Sequence, residues 1–273
     1  MNLGSIGAGN MAGAIIRGLL ARGFAQAATI RIHDRDEAKA HAFAHETGVT
    51  PCQSNAEVVA GSDAVLLAVK PGDFPALLAS LQTEILGKKP LLLSIATGTT
   101  LASIAGGLGD TGNTVPIVRI IPNVNARVGE GVAGICPNSI VTEEQLAWTE
   151  KLFNSVGRAI RIDEDKFSVF QAVACASPAW TFMFIEGLAR GGVKKGLTKE
   201  QATAAAAQAV LGSARLVLET GLSPSTLVDT VCSPGGTTIA GVAALEEGAM
   251  IGTIMKAVEK CYERDLEILA NTR

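Results

Sequence analysis

The chain reads as two successive halves, a doubly wound α/β domain over residues 1–163 and an all-helical domain over residues 164–273. Three observations predict this. A glycine-rich turn joins an apolar strand to a helix near the N-terminus, apolar runs of strand length then alternate with helical segments as far as Ile162, and from Asp165 onward the strand signal stops. A chain of 273 residues is long enough for two ordinary domains, each with its own core.

The stretch LGSIGAGNMAGAIIRGLLARG opens the first domain. It sets Gly7, Gly9 and Ala12 in a GxGxxA pattern between a short apolar strand and a helix carrying Ile15, Ile16, Leu19 and Leu20. Gly7 permits a tight turn, Gly9 lets a pyrophosphate approach the backbone, and Ala12 lets helix and strand pack closely, with the helix amides facing the anion. These flanking elements favour a dinucleotide site over a plain strand-to-helix turn. A second strand, Ala28 to Ile32, ends in His33-Asp34-Arg35, where the residues that read the adenosine ribose are expected. Their chemistries conflict. Asp34 suits a free 2′-hydroxyl and hence NAD, whereas Arg35 and His33 suit a 2′-phosphate and hence NADP; a solvated surface arginine is the plain alternative.

The alternation continues with a helix over Asp36 to Thr47, a short strand at Val49, and the apolar run AVLLAV from Ala64 to Val69, which stops at Lys70-Pro71. Runs of this kind suit parallel strands buried on both faces. Further strands are predicted over Leu91 to Ile95, Ile117 to Ile121, Gly131 to Ile135 and Ala159 to Ile162, with helices over Asp73 to Leu81 and Glu143 to Ser155. Ligands in such sheets sit beyond the carboxyl ends of strands, so Lys70-Pro71, Thr97-Gly98 and Pro122-Asn123 are the expected pocket loops, though each also reads as ordinary turn chemistry.

In the second half, helices are predicted over Lys166 to Cys175, Ala179 to Gly191, Thr198 to Glu219, Leu227 to Val231, Thr237 to Glu247 and Gly252 to Leu269. The helix QATAAAAQAVLGSARLVLE is small and apolar on several faces, which predicts close packing against a second copy and hence a homodimer, with a higher homo-oligomer left open. One segment breaks the helical pattern: VCSPGGTTIAG, Val231 to Gly241. Pro234 cannot continue a helix, and Gly235 and Gly236 expose backbone amides beside the hydroxyls of Ser233, Thr237 and Thr238. The residue types fit an anion-binding turn and, equally, a connection in which Thr237 or Thr238 caps the next helix.

Composition narrows the function. A net charge of −3 with scattered Lys and Arg and few aromatics gives no electrostatic footprint for nucleic acid, which leaves a small-molecule partner. Charged residues or glycines are expected to interrupt the apolar stretches before the roughly 18 residues needed to span a bilayer, and the N-terminus lacks a leader pattern, so a cytoplasmic protein without a membrane segment is expected. Cys52, Cys136, Cys175, Cys232 and Cys261 are far apart, without metal-ligand spacing; Cys232, beside the glycine turn, is the one candidate for reactivity, against the plainer reading of a small buried side chain. All three histidines, His33, His41 and His45, lie in the first half. The helical half therefore has no imidazole for acid–base work, which argues against histidine-dependent dehydrogenases; Lys194 and Lys195 read as acids or, more plainly, as an exposed helix end.

Four stretches carry a family resemblance: IGAGNM at Ile6 to Met11, LAVKP at Leu67 to Pro71, SPAWTFMFIEGL at Ser177 to Leu188, and SPGGTTIAG at Ser233 to Gly241. Over essentially its whole length the chain resembles the pyrroline-5-carboxylate reductase family, and the last block is far more specific than the glycine loop. The resemblance implies a Rossmann-type domain followed by a helical dimerisation domain, and NAD(P)H-dependent reduction of 1-pyrroline-5-carboxylate to L-proline, the last step of proline synthesis. It implies cofactor contacts from Ile6, Gly7, Ala8, Gly9, Asn10, Met11, His33, Asp34, Arg35, Asn55, Ala68, Val69, Lys70 and Pro71, and no metal ion. Ser233, Gly235, Gly236 and Thr237 are the implied carboxylate ligands, Thr238 the catalytic residue near the ring nitrogen, and Glu164 an acidic neighbour of the substrate or else a helix N-terminal carboxylate. A turn of amides and hydroxyls suits a substrate with one carboxylate and one imine. Hydride attack on an iminium leaves a basic amine, so no strong acid is required and positioning carries the catalysis.

The chain departs from the family at Ile121-Pro122-Asn123-Val124-Asn125, at Trp180 and at Cys175-Ala176-Ser177, which puts the shape of the pocket wall in question. NADPH is expected in preference to NADH, through Arg35 on the 2′-phosphate with Asp34 turned away. Two other readings stand beside this one. A β-hydroxyacid dehydrogenase needs a catalytic lysine in a glycine-rich helix, which is not found; a non-catalytic NADP-binding regulator is disfavoured by the intact SPGGTT turn.

Overall fold

The computed structural model describes residues 1–271. The first strand, β1 (Leu3–Ile6), is buried along its length and leads through the glycine turn into α1 (Asn10–Ala21), which buries Ala12, Ile15, Ile16 and Leu19 against the sheet. Then follow β2 (Ile30–His33), α2 (Glu37–Thr47), β3 (Thr50–Pro51), α3 (Asn55–Gly61) and β4 (Ala64–Leu67). Next come α4 (Phe74–Ser80), α5 (Gln82–Lys88), β5 (Leu91–Ser94), α6 (Leu101–Gly107), β6 (Ile117–Pro122), β7 (Gly131–Pro137), α7 (Glu143–Asn154) and β8 (Gly157–Arg161). The strands form one sheet in the order β3-β2-β1-β4-β5-β6-β7-β8. Pairing is parallel except between β6 and β7, which are joined closely enough for an antiparallel return. Because the chain builds outward from β1 first through β2 and β3 and then in the other direction through β4, the connections diverge at the carboxyl ends of β1 and β4 and open a crevice there.

The apolar strand runs bury both faces of this sheet. Leu66, Leu91, Leu93, Val118 and Ile120 join one core with α1, while Val65, Leu67, Leu92 and Ile117 alternate with them into the core on the other face. Each such side chain contributes about 1.5–3 kcal/mol relative to exposure, so the central strands are the most strongly held part of the unit.

The helical half begins with a single turn at Glu164–Lys166, α8 (Phe167–Phe170) and a π-helical turn over Gln171–Ala176, and continues with α9 (Ser177–Lys194) and α10 (Lys199–Thr220). It ends with α11 (Pro224–Val231), α12 (Thr237–Glu247) and α13 (Met250–Asn271). Packing divides the chain into two compact units, Met1–Cys175 with the stretch from Tyr262 onward, and Ala176–Cys261. The change of composition at residue 164 thus precedes the change of packing, because the turns from Glu164 to Cys175 still cluster with the sheet. Within the second unit α9 and α10 form a close hairpin around Ala189, Ala202 and Ala206. At Gly192 a methyl group would lie 3.1 Å from the Ala202 Cβ, so small residues set the approach of the two helices. By contrast α11 and α12 bury no residue within the chain, and Phe182, Met183, Leu218, Val231, Ile251 and Met255 stand exposed.

One expectation needs correction. Phe167 to Ile185 carries neither a charge nor a glycine. The helical run Glu164–Lys194 is therefore long and apolar enough, by length and composition, to cross a bilayer, and so is the bent pair of α12 and α13 taken together. Exposed apolar helix surface of this kind suits protein partners as well as lipid.

Candidate active site

The crevice beyond β1 and β4 holds a cavity of about 450 Å³. Its floor is the glycine turn. Gly7 has φ +106°, and a methyl group there would sit 2.5 Å from the Ala68 carbonyl oxygen at the end of β4, so only glycine lets the two strand ends close together. Gly9 precedes α1 with extended geometry, no side chain caps that helix, and a methyl group at Gly9 would meet nothing within 4 Å. No side chain caps the first amides of α1 and no acidic residue stands in their turn, an arrangement that attracts an anion.

Of the sequence-predicted cofactor residues, Ile6, Gly7, Gly9, His33, Asp34, Arg35, Asn55, Ala68, Val69 and Lys70 line this cavity. Ala8, Asn10, Met11 and Pro71 do not. Ala8 is buried and its amide donates to Asp34 Oδ2 at 2.7 Å, so the loop spends that donor on itself; Met11 packs on the sheet core, and Pro71 opens an exposed turn beside Lys70. Sequence reasoning missed Lys39, Asp73, Ala76, Leu77 and Ser80, which the structure adds to the wall. The last four lie on the β4–α4 crossover, whose packing against the β2 end no local pattern announces.

The charged end of the cavity is ordered. His33 Nδ1 lies 2.6 Å from Asn55 Oδ1, which fixes the ring against α3. Asp34 accepts from the amides of Ala8 and Asp36 and from Lys39 Nζ at 3.3 Å. Burial alone raises the Asp34 carboxyl, but these donors together outweigh it and hold its pKa below the ordinary carboxylate value. Arg35 reaches across to Asp73 at 3.2 Å with most of its side chain in solvent.

Glu164 is anchored in the first unit. Its Oε1 accepts from Leu101 N, the first amide of α6, at 2.7 Å and from the buried Arg119 guanidinium at 3.0 Å. Arg119 in turn stacks on Phe167, 4.3 Å from the ring centroid. Glu164 therefore caps a helix remote in sequence rather than its own. Nor does Asn123 offer its amide to a pocket: it is buried, its Oδ1 accepts from Asn125 N and Val132 N, and its Nδ2 donates to the Ala174 carbonyl. Pro178 lacks the N–H that would bond that carbonyl in a regular helix, so Asn123 supplies the missing donor at the π-turn. Trp180, with Ser177 and Thr181, lines a separate cavity of about 560 Å³ within the second unit.

The break at residues 231–241 has a definite geometry. Gly235 adopts φ +70°, Gly236 N bonds back to the Ser233 carbonyl at 3.0 Å, and α12 starts at Thr237 with no side-chain cap and no acidic residue in its first turn. The alternative in which a threonine caps the helix is not what forms, because both threonines lie inside α12. The amides of Thr237, Thr238 and Ile239 have no intrahelical acceptor, and the hydroxyls of Ser233, Thr237 and Thr238 surround them on an exposed turn. Cys232, at the end of α11, is half-buried rather than enclosed.

Comparison with known proteins agrees with both halves of this geometry. A family model described as pyrroline-5-carboxylate reductase dimerisation matches residues 164–268, and one described as NADP oxidoreductase, coenzyme F420-dependent, matches residues 2–98. The pyrroline-5-carboxylate reductase of Escherichia coli (strain K12) is 40% identical over 262 residues, 96% of each chain. The solved structure of a pyrroline-5-carboxylate reductase from Coxiella burnetii superposes with a TM-score of 0.91 at 34% identity, covering 98% of both chains. That of Plasmodium falciparum pyrroline carboxylate reductase with NADP bound superposes with a TM-score of 0.85 at 28% identity, again covering 98% of both. With a glycine-turn cavity in the first unit, an uncapped SPGGTT helix start in the second, and 40% identity over 96% of the Escherichia coli enzyme, the chain belongs to the pyrroline-5-carboxylate reductase family and is an NAD(P)H-dependent oxidoreductase that makes L-proline by reducing a cyclic imine.

Proposed function

We propose that the cavity beyond β1 and β4 binds NADPH, and that the turn from Ser233 to Thr238 holds the substrate carboxylate with Thr238 beside the ring nitrogen. The observation that carries this reading is the start of α12, where three amides without an intrahelical acceptor stand beside three hydroxyls on an exposed turn, with no side-chain cap and no acidic residue in the first turn. A bound reduced nicotinamide supplies hydride to the imine carbon. The chain's own part is to hold the carboxylate on the α12 amides, to present the Thr238 hydroxyl to the nitrogen as it becomes an amine, and to fix both in near-attack geometry. The first cavity fits a dinucleotide: the unobstructed Gly9 and the uncapped α1 suit a pyrophosphate, and Arg35, Lys39 and Lys70 suit a phosphorylated ribose.

A homodimer through the helical domain belongs to the same proposal, supported by the uncovered apolar faces of α11 and α12. A cytoplasmic location is proposed with it, since five cysteines far apart in the sequence suit unpaired thiols. The direct test is the loss of NADPH absorbance on adding 1-pyrroline-5-carboxylate, repeated with NADH. The expected outcome is imine-dependent oxidation with the higher kcat/KM for NADPH; faster turnover with NADH overturns the cofactor assignment, and no turnover with either overturns the site.

A further inference from the structure

One amide at the start of α6 is not satisfied by its neighbours in the chain. Thr100 and Ser103 exchange bonds between side chain and backbone, which uses their own amides and leaves that of Leu101 without a local acceptor. The Leu101 amide donates instead to Glu164 Oε1, and the same oxygen accepts from Arg119 Nη1. Arg119 stands beside Ser94, the last residue of β5, in the strand register, with 9% of its side chain exposed and its guanidinium on the Phe167 ring. Among the described residues this is its one hydrogen bond, so a buried cation is compensated by the carboxylate that also fixes the start of α6.

The other end of the β5–α6 loop is fastened from inside. Ile95 N bonds to the Leu67 carbonyl, and the buried Thr99 donates its hydroxyl to the Ala96 carbonyl at 2.8 Å. Between these fixed ends Thr97 is exposed, and Gly98 takes φ +79° with nothing within 4 Å of an added methyl group. Neither residue makes a hydrogen bond among the described residues, so the place of the tip is set by its two ends. The order of the strands tells what the tip faces. The first cavity runs from His33–Arg35 after β2, across the glycine turn of β1, to Ala68–Lys70 after β4, and β5 is the next strand in the sheet. A dinucleotide with its adenosine at β2 and its pyrophosphate at β1 carries its nicotinamide half past β4 to the end of β5.

We propose that Glu164 and Arg119 are positioning residues for hydride transfer: by holding the Leu101 amide they set the Thr97–Gly98 tip against the nicotinamide half of the bound dinucleotide. This rests on the dinucleotide reading of the cavity and assigns Glu164 to the cofactor loop rather than to the imine. Fluorescence titration of the intact protein with NADPH and with 2′,5′-ADP, which lacks the nicotinamide half, tests it without any turnover. Glu164→Ala should weaken NADPH by about fivefold or more while 2′,5′-ADP stays within about twofold, and Glu164→Gln, which keeps an acceptor for both donors, should restore most of the loss. Arg119→Met, which frees the carboxylate, and Gly98→Ala, which strains the tip with Glu164 in place, should give the same split. In steady state Glu164→Ala should lower kcat by about tenfold at an imine KM within about twofold, because the loss falls on the orientation of the ring. An equal loss of both ligands in Glu164→Ala, the mark of a merely structural role, overturns the proposal, and so does wild-type NADPH affinity in any of the Ala or Met variants. A raised imine KM with unchanged NADPH binding overturns it in favour of a contact with the substrate. If the wild type binds neither NADPH nor 2′,5′-ADP, the reading of the cavity itself fails and the proposal falls with it.

Discussion

At Gly236 an added methyl group would meet Ser233 Oγ at 2.3 Å and the Ser233 carbonyl oxygen at 3.1 Å. The hydroxyl must then rotate away, and a candidate carboxylate ligand leaves the turn with it. Gly236→Ala is therefore expected to raise the KM for the imine by on the order of tenfold while the NADPH dissociation constant stays within about twofold. Thr238→Ala removes a hydroxyl from the exposed start of α12, and its effect belongs to the transition state. It should lower kcat/KM by on the order of ten- to a hundredfold, mainly through kcat. Steady-state kinetics with imine and cofactor varied separately decides between these signatures. Wild-type kinetics combined with a lower melting temperature in both variants would reduce the turn to a helix connection.

Among the elements, α6 shows how a short helix is held without a long apolar stripe. Thr100 and Ser103 close a capping box around its start, and Glu164 takes the Leu101 amide from 63 residues away while pairing with Arg119. Removing that carboxylate leaves the buried guanidinium stacked on Phe167 without its carboxylate partner. Glu164→Ala should cost about 2 kcal/mol of stability, below the 3–5 or so of a fully enclosed pair because solvent reaches about a third of the glutamate side chain. Glu164→Gln keeps an oxygen for Leu101 N and should lose less than half as much, both read from urea midpoints. A raised imine KM in Glu164→Gln at unchanged stability would instead return this residue to the substrate, as the family resemblance implies. α6, like α3, α4 and α5, spans only 7 residues, and of these four the sequence predicts α4 alone, whose Phe74, Leu77 and Leu78 set a clear apolar period. The longer α1, α7 and α10 carried enough periods to be read directly.

For the molecule as a whole, the uncovered apolar surface is the dominant energetic fact. Met183 is 74% exposed and Ile251 72%, alongside Leu218, Val231 and Met255, and α11 and α12 bury no residue within the chain. Monomeric soluble proteins rarely leave so many large apolar side chains open, and the hydrophobic effect drives such faces together. Sedimentation at micromolar concentration is expected to show a species near twice the 28.1 kDa chain mass and no major monomer. A stable, active monomer would overturn the homodimer.

Local chemistry wrote the glycine turn of Gly7 and Gly9, the buried runs of β4 and β5 and the helix break at Ser233–Gly236 into the sequence, because each depends on residues adjacent in the chain. The partners of Asp34, Glu164 and Asn123 were decided only by the tertiary structure. In each case the residue type announces a polar group seeking partners, but the donors, Ala8 and Lys39 for the first, Leu101 and Arg119 for the second, Val132 for the third, arrive through the crossing of separate elements. A carboxylate that reads as a ribose ligand or a substrate neighbour in one dimension is, in three, also bonded to donors from other elements, since a largely buried charge is held by whichever donors the fold brings within 3 Å or so.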